Sequence, residues 1–149
     1  AKGSQWPLLI DQGDIGKKFL QYSGSSVRNF FQSDEMDPER LRVALISMIR
    51  SGGVLAVDLF SLGSGVDLRL LAEPFDRIRA GLFDDLCSRK IIQIPKGGRW
   101  HAFQDLITKE EKLSRFRLES FEERIISKFK LVVLTSSEVP HQELLGFFD

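Results

Sequence analysis

The sequence predicts an α/β domain in which helices lie on both faces of a mostly parallel sheet. Apolar runs of strand length alternate along the chain with amphipathic segments of helix length, and this alternation is typical of strand–helix–strand units. Two of the runs, 54–59 and 131–134, are almost continuously apolar, as expected for strands buried on both faces of a parallel sheet. Near the start of the chain, a loop with glycines and a lysine follows the apolar run 8–10. This is the order of a phosphate-binding strand, loop and helix.

The first part of the chain predicts three strands separated by two helices. The second helix has the clearest boundaries, because Asp37 suits the N-cap, Pro38 the first helical position and Gly52 the end. Its apolar residues recur at helical spacing and form one face. The predicted elements are strand Leu8–Ile10, helix Ile15–Tyr22, strand 27–32, a helix over 38–51 and strand 54–59.

The second part of the chain predicts more helix, a hairpin and a last strand. Pro74 interrupts the first helical stretch, since proline cannot donate a helix hydrogen bond. Thr108 and Glu111 form a capping-box pair at the start of a charged helix. The predicted elements are a helical stretch over 67–88 that breaks or restarts at Pro74, a β-hairpin of 91–94 and 100–103 around the turn 95–98, a charged helix over 108–128 and strand 131–134.

Composition limits the classes of function. The 149 residues suit a single domain over 1–149, which is long enough for one core. Lys plus Arg equals Asp plus Glu at 21 each, so no long-range field attracts nucleic acid or an acidic membrane. Cys87 is the only cysteine, which excludes an internal disulfide and suits a cytoplasmic protein. The chain starts at Ala1 without Met, from which we expect a piece of a longer protein.

The loop after the first predicted strand is a shortened form of a phosphate-binding loop. A functional loop separates its two glycines by four residues and ends in Lys and then Ser or Thr, so that N–H groups surround phosphate and the hydroxyl holds magnesium. Here two residues separate Gly13 from Gly16, Lys17 follows correctly, and Lys18 takes the hydroxyl position. The loop therefore predicts weak phosphate binding at most. Its simplest interpretation is a glycine turn before a solvated helix.

Two further polar positions follow predicted strands, where parallel sheets bind their ligands. Asp58 occupies the position of a magnesium-binding Walker B aspartate, but Leu59 stands where a hydrolysing enzyme has a glutamate. Ser136, with Ser137, lies where a polar sensor residue would approach a γ-phosphate. Each position also suits a purely structural role, so we expect no catalytic residue and no metal site.

Several segments together resemble the fifth AAA+ module of dynein heavy chains. The segment 6–11, WPLLID, is similar to the opening strand of that module, and Lys18-Phe19 stands at its Lys-aromatic position. The helix and strand over 37–59 and the segment 129–136, followed by Pro140-His141, match it in character. The resemblance suggests a dynein-like AAA+ module in another protein, such as one that combines IQ motifs with ankyrin repeats. The charged helix over 108–128 has no counterpart in it.

The resemblance implies a P-loop NTPase-like three-layer sandwich, to which the β-hairpin and the charged helix are added. The fifth dynein module does not hydrolyse nucleotide, so the implied role is that of a structural or protein-interaction domain without enzymatic activity or cofactor. Its partners would be proteins or neighbouring domains, docked on the helix over 108–128, and its location cytoplasmic, near the cytoskeleton or a cilium. A weak ATP/ADP-binding switch with magnesium is the alternative. An unrelated α/β binding domain would be favoured if the strands were antiparallel.

Overall fold

The computed structural model describes residues 8–10, 15–60 and 68–136 of the chain. These residues form an α/β fold with one four-stranded sheet of order β1-β4-β3-β2. The strands are β1 Leu8–Ile10, β2 Ser26–Asn29, β3 Val54–Asp58 and β4 Lys130–Thr135. All three pairings are parallel, which confirms the predicted strand direction and removes the antiparallel arrangement that would have favoured an unrelated binding domain.

Short helices surround the sheet. The α-helices are α1 Ile15–Tyr22, α2 Pro38–Ser51, α3 Leu68–Ile78, α4 Leu82–Cys87, α5 Lys109–Leu113 and α6 Glu123–Ile126. In the described residues, 3-10 turns occupy Lys90–Ile92, Ala102–Leu106 and Leu118–Ser120. Among the described residues, none of the helices has the length and apolar character needed to cross a lipid bilayer.

Alternate residues of the two central strands face opposite layers, as the two-residue period of a strand requires. Leu55 and Val133 belong to the main core, which α2, α3 and α4 complete. Ala56 and Leu134 point the other way and pack with Leu20 of α1 in a smaller cluster. Helices α1 and α2 therefore lie on opposite faces of the sheet.

Helix α2 has the boundaries that its sequence predicts. The Asp37 carboxylate accepts a hydrogen bond from the Arg40 N–H at 3.2 Å, and Gly52 ends the helix at φ +67°. A Cβ on Gly52 would lie 2.5 Å from the carbonyl oxygen of Ile125. Gly52 is therefore required both by its left-handed backbone and by the close approach of α6.

Strand β2 is shorter than the predicted 27–32 and ends at Asn29. The Asn29 N–H donates to Glu35 Oε2 at 3.0 Å, and the Asn29 side chain accepts from the Phe31 N–H at 2.9 Å. These local bonds turn the chain away from the sheet before Phe31. The competition of an Asn side chain with a strand ladder is the physical reason for the early end.

The helical stretch predicted over 67–88 is interrupted after Pro74 and not, as predicted, at Pro74. Helix α3 continues through Pro74, whereas the break before α4 lies at Arg79–Gly81, where Gly81 has φ +80°. Leu71 and Phe75, on either side of the proline, are fully buried. Core packing of these two side chains thus offsets the hydrogen bond that Pro74 cannot make.

The predicted β-hairpin of 91–94 and 100–103 is wrong. The segment contains the 3-10 turns Lys90–Ile92 and Ala102–Leu106, and one backbone bond, from the Ala102 N–H to the Gln93 carbonyl at 3.0 Å, joins its two sides. Ile91 and Phe103 are buried in the core, whereas Ile94 and Trp100 are exposed. The segment lies against the helical layer, where single apolar residues at 3-10 turns reach the core.

The predicted charged helix over 108–128 is also wrong, although its start is correct. The Thr108 hydroxyl accepts from the Glu111 N–H and the Glu111 carboxylate accepts from the Thr108 N–H, which is a complete capping box. Helix α5 nevertheless ends at Leu113, and two further short helical segments follow. Phe116 is fully buried while Leu113 is largely exposed. One continuous helix could not place Phe116 in the core, so the backbone leaves the helical conformation at Ser114 (φ −138°).

Arg42 joins α2 to the end of the 3-10 turn Ala102–Leu106 and to α5. Arg42 is only 8% exposed. Its guanidinium donates to the Leu106 carbonyl at 2.7 Å and to the two carboxylate oxygens of Glu111 at 2.7 and 2.9 Å. It also donates to the carboxylate of Glu39. A buried guanidinium is costly unless it is paired and hydrogen-bonded. We call this set of bonds the Arg42 cross-link.

Replacement of Glu111 tests the Arg42 cross-link. Glu111→Ala removes both the pairing of a buried guanidinium and half of the capping box, so we expect the free energy of unfolding to fall by about 3 kcal/mol. Urea denaturation followed by circular dichroism measures it. Glu110→Ala is the matched control, because Glu110 is exposed and its loss should cost less than about 0.5 kcal/mol. Equal losses for the two variants would contradict a structural role for the cross-link.

The same carboxylate predicts a pH dependence of stability. The hydrogen bond from Arg42 lowers the pKa of Glu111 from 4.5 to about 2. Because the pKa in the folded protein is the lower one, the ionised carboxylate stabilises the fold above the ordinary pKa, and this stability is lost as the pH falls through about 4.5 towards about 2. In Glu111→Gln the free energy of unfolding should therefore decline less steeply across that window than in the wild type. Parallel pH profiles would be evidence against the lowered pKa.

Candidate functional site

Two of the predicted site residues contact each other at the carboxyl end of the sheet. Lys17, in the first turn of α1, places its Nζ 3.1 Å from Oδ2 of Asp58, the last residue of β3. The Asp58 side chain is 7% exposed and that of Lys17 25% exposed. The ion pair is therefore largely shielded from water, and each charge is balanced by the other.

The backbone of Phe60 connects this ion pair to the end of β4. The Phe60 N–H donates to Asp58 Oδ1 at 2.9 Å, and the Phe60 carbonyl accepts from the Thr135 hydroxyl and the Ser136 N–H, both at 3.0 Å. Phe60 has φ +53°, a conformation that is uncommon for a bulky residue. Its ring lies 4.6 Å from the Lys17 ammonium, close enough for a cation–π contact.

A small cavity adjoins the Lys17–Asp58 pair. Its volume is about 150 Å³, whereas pockets for drug-sized ligands and cofactors usually measure about 300–1,000 Å³. The residues that line it are mostly polar, and they come from α1, β2, β3 and the loop before α2: Lys17, Gln21, Val27, Asn29, Glu35 and Asp58. The cavity that the described residues form is thus smaller than a usual pocket for a cofactor.

The charges of the cavity do not favour a phosphate. One ammonium, Lys17, faces two carboxylates, Glu35 and Asp58, so the lining has an excess of one negative charge. Both oxygens of Asp58 are already engaged, one by Lys17 and one by the Phe60 N–H. Glu35 Oε2 accepts from the Asn29 N–H at 3.0 Å. A phosphate placed here would lie against these two carboxylates and be repelled by them.

The predicted site residues are found in three situations. Lys17 and Asp58 are in direct contact, and Gly16 precedes Lys17 as the second residue of α1. Ser136 is connected to Asp58 through the Phe60 backbone rather than by its own side chain. Gly13 lies outside the described residues, so the shortened loop itself is not part of this geometry.

Sequence reasoning missed Phe60, Glu35 and Gln21. A positive φ at Phe60 has no signal in the sequence, because the residue types that usually adopt it are Gly and Asn. Glu35 and Gln21 are ordinary surface residue types whose position at the cavity depends on the turn after β2 and on the face that α1 presents. Thr135 was not missed, since it opens the polar stretch 135–137 that follows the predicted strand 131–134.

No known protein family matches this chain, and no solved structure matches it. Its fold class is therefore supported by its own geometry, namely a parallel sheet with helices on both faces. Function has to be argued from the site.

A double-mutant cycle measures the coupling between Lys17 and Asp58. Asp58→Ala leaves the Phe60 N–H without its acceptor and should lower the free energy of unfolding by about 2 kcal/mol. Lys17→Met leaves a buried carboxylate without this cation and should cost about 1 kcal/mol, and the double variant should show a coupling energy of about 1 kcal/mol. Lys18→Met is the matched control, because Lys18 is exposed. Additive losses would mean that the two side chains do not stabilise each other in solution.

Proposed function

We propose that the chain is a non-catalytic, dynein-like AAA+ module that serves as a structural or protein-interaction domain. The observation that supports this most directly is the ion pair of 3.1 Å between Lys17 and Asp58. In a working nucleotide site the lysine faces the outer phosphates and the aspartate faces magnesium. Here the two charges neutralise each other, so the edge of the sheet is stable without a ligand.

The strand order supports a P-loop-like sandwich. The resemblance requires the strand with the sensor position to lie beside both the strand of the phosphate loop and the strand of the Walker B aspartate. Strand β4, which precedes Ser136, lies between β1 and β3. The end of β1, Asp58 and Ser136 therefore meet at one edge of the sheet, as ligand sites of parallel sheets do.

An exposed apolar stripe on α1 supports a role in protein contacts. Ile15, Phe19 and Tyr22 lie at helical spacing on one face and are 76%, 69% and 92% exposed. Such a contiguous apolar surface usually marks an interaction site. The stripe replaces the charged helix over 108–128 as the first surface to consider for a neighbouring domain, because that helix is not continuous.

A weak ATP/ADP-binding switch is the second candidate. It is favoured by the meeting of Lys17 and Asp58 at the predicted place, next to the end of β4. Nucleotide would have to separate the two side chains and enlarge the cavity. The energy of that rearrangement would reduce the apparent affinity.

Calorimetric titration with ATP and ADP in the presence of magnesium discriminates the two candidates. For the proposed module we expect no heat of binding at millimolar nucleotide, in the wild type and in Lys17→Ala alike. A hydrolysis assay with purified protein should show no phosphate release above the buffer. Micromolar binding that Lys17→Ala abolishes would overturn the proposal and establish the switch.

A further inference from the structure

An open groove of about 540 Å³ crosses the outer side of α2. Ser26 and Arg28 of β2 border it on one side and Arg115, which follows α5, borders it on the other. Ser26 and Arg28 alternate with Val27 and Asn29, which line the cavity beside Lys17. The groove and that cavity therefore lie on opposite faces of β2 and are separate sites.

The groove is positively charged. Arg28, Arg40 and Arg115 line it, and Glu39, the single acidic residue among the described residues of its lining, is bound to Arg42. Within the part of the chain that the structure describes, no carboxylate pairs with Arg28 or Arg115. Arg40 lies 3.8 Å from Asp34, and both side chains are about two-thirds exposed, so this contact is weak. Arg28 donates to the Ser26 hydroxyl at 3.2 Å and to the Glu35 carbonyl at 3.5 Å. Both acceptors are neutral, so the charge of Arg28 can still pair with an acidic partner.

The floor of the groove is apolar. Val43, Ala44 and Met48 line it between the arginines. An acidic partner that binds there would bury apolar surface in addition to pairing its charges. The Arg115 guanidinium lies 5.3 Å from the Phe116 ring. Because this packing already limits the motion of the Arg115 side chain, an ion pair with Arg115 would lose less side-chain entropy.

We propose that this groove binds an acidic segment of a partner protein in which apolar side chains contact Val43 and Met48 and carboxylates pair with Arg28, Arg40 and Arg115. The inference rests on the proposed protein-interaction role and names its surface and the chemistry of its partner. Nucleic acid fits less well, because none of the described residues that line the groove is aromatic and could stack on a base.

Selection from a displayed library of random linear peptides tests the charge and apolar requirements without a known partner. The immobilised wild-type chain should enrich peptides in which Asp or Glu alternates with apolar residues. A labelled synthetic copy of the most enriched peptide should bind at least about tenfold more weakly to Arg40→Glu/Arg115→Glu, since two attractive contacts become repulsive. Binding should also weaken with salt and in Val43→Thr, which changes polarity but hardly shape.

The matched control is Lys96→Glu/Arg99→Glu, which changes the net charge equally at two exposed residues outside the groove. This variant should retain wild-type affinity, and circular dichroism should show that all variants are folded. Enrichment without acidic residues, or equal affinity for both double variants, would overturn the proposal. Preferential binding of labelled oligothymidylate to the groove would replace it with a nucleic-acid site. None of these outcomes bears on nucleotide binding at Lys17 and Asp58. The calorimetric titration with ATP and ADP therefore tests the proposed function separately.

Discussion

The Arg42 cross-link is the interaction on which the layer outside the sheet depends. The guanidinium of Arg42, a residue that is 8% exposed, needs several partners at fixed angles. These partners come from α2 itself, from the carbonyl of Leu106 and from Glu111. The chain must therefore pass over α2 between Leu106 and Glu111. This path leaves room for only a short α5 and directs Phe116 into the core, so that the charged segment cannot continue as one helix.

On the other side of the sheet, the Lys17–Asp58 pair connects elements as the Arg42 cross-link does. It joins α1 to the end of β3, while the Phe60 backbone joins both to the end of β4. Helix α1 and the ends of β3 and β4 are thus held together by bonds within the chain itself. A buried ion pair is retained for its geometry rather than for a large net stabilisation. This arrangement agrees with a module whose surfaces, and not its sheet edge, meet other molecules.

Those surfaces differ in chemistry and in position. Helix α1 presents an apolar stripe on one face of the sheet, whereas the arginine-lined groove follows α2 on the opposite face. The separation results from strand alternation, because neighbouring residues of β2 point to different layers. A module between two neighbours could therefore contact one through buried apolar area and the other through charge complementarity.

Sequence alone determined the features that depend on local chemistry. The caps of α2, the capping box at Thr108, the buried strands and the polar ends of β3 and β4 follow from propensity, hydrogen-bonding groups and apolar periodicity. It also singled out Lys17 and Asp58, because both lie at or after the ends of predicted strands of a parallel sheet, where such sheets bind their ligands. Tertiary structure decided what these residues do, since their ion pair joins positions that are far apart in the chain. It also decided the 3-10 turns in place of a hairpin, the early end of α5 and the path of α3 through Pro74. In each of these segments, burial of a few apolar side chains outweighed a local preference of about 1–3 kcal/mol, and in α5 the pairing of Arg42 with Glu111 added to it.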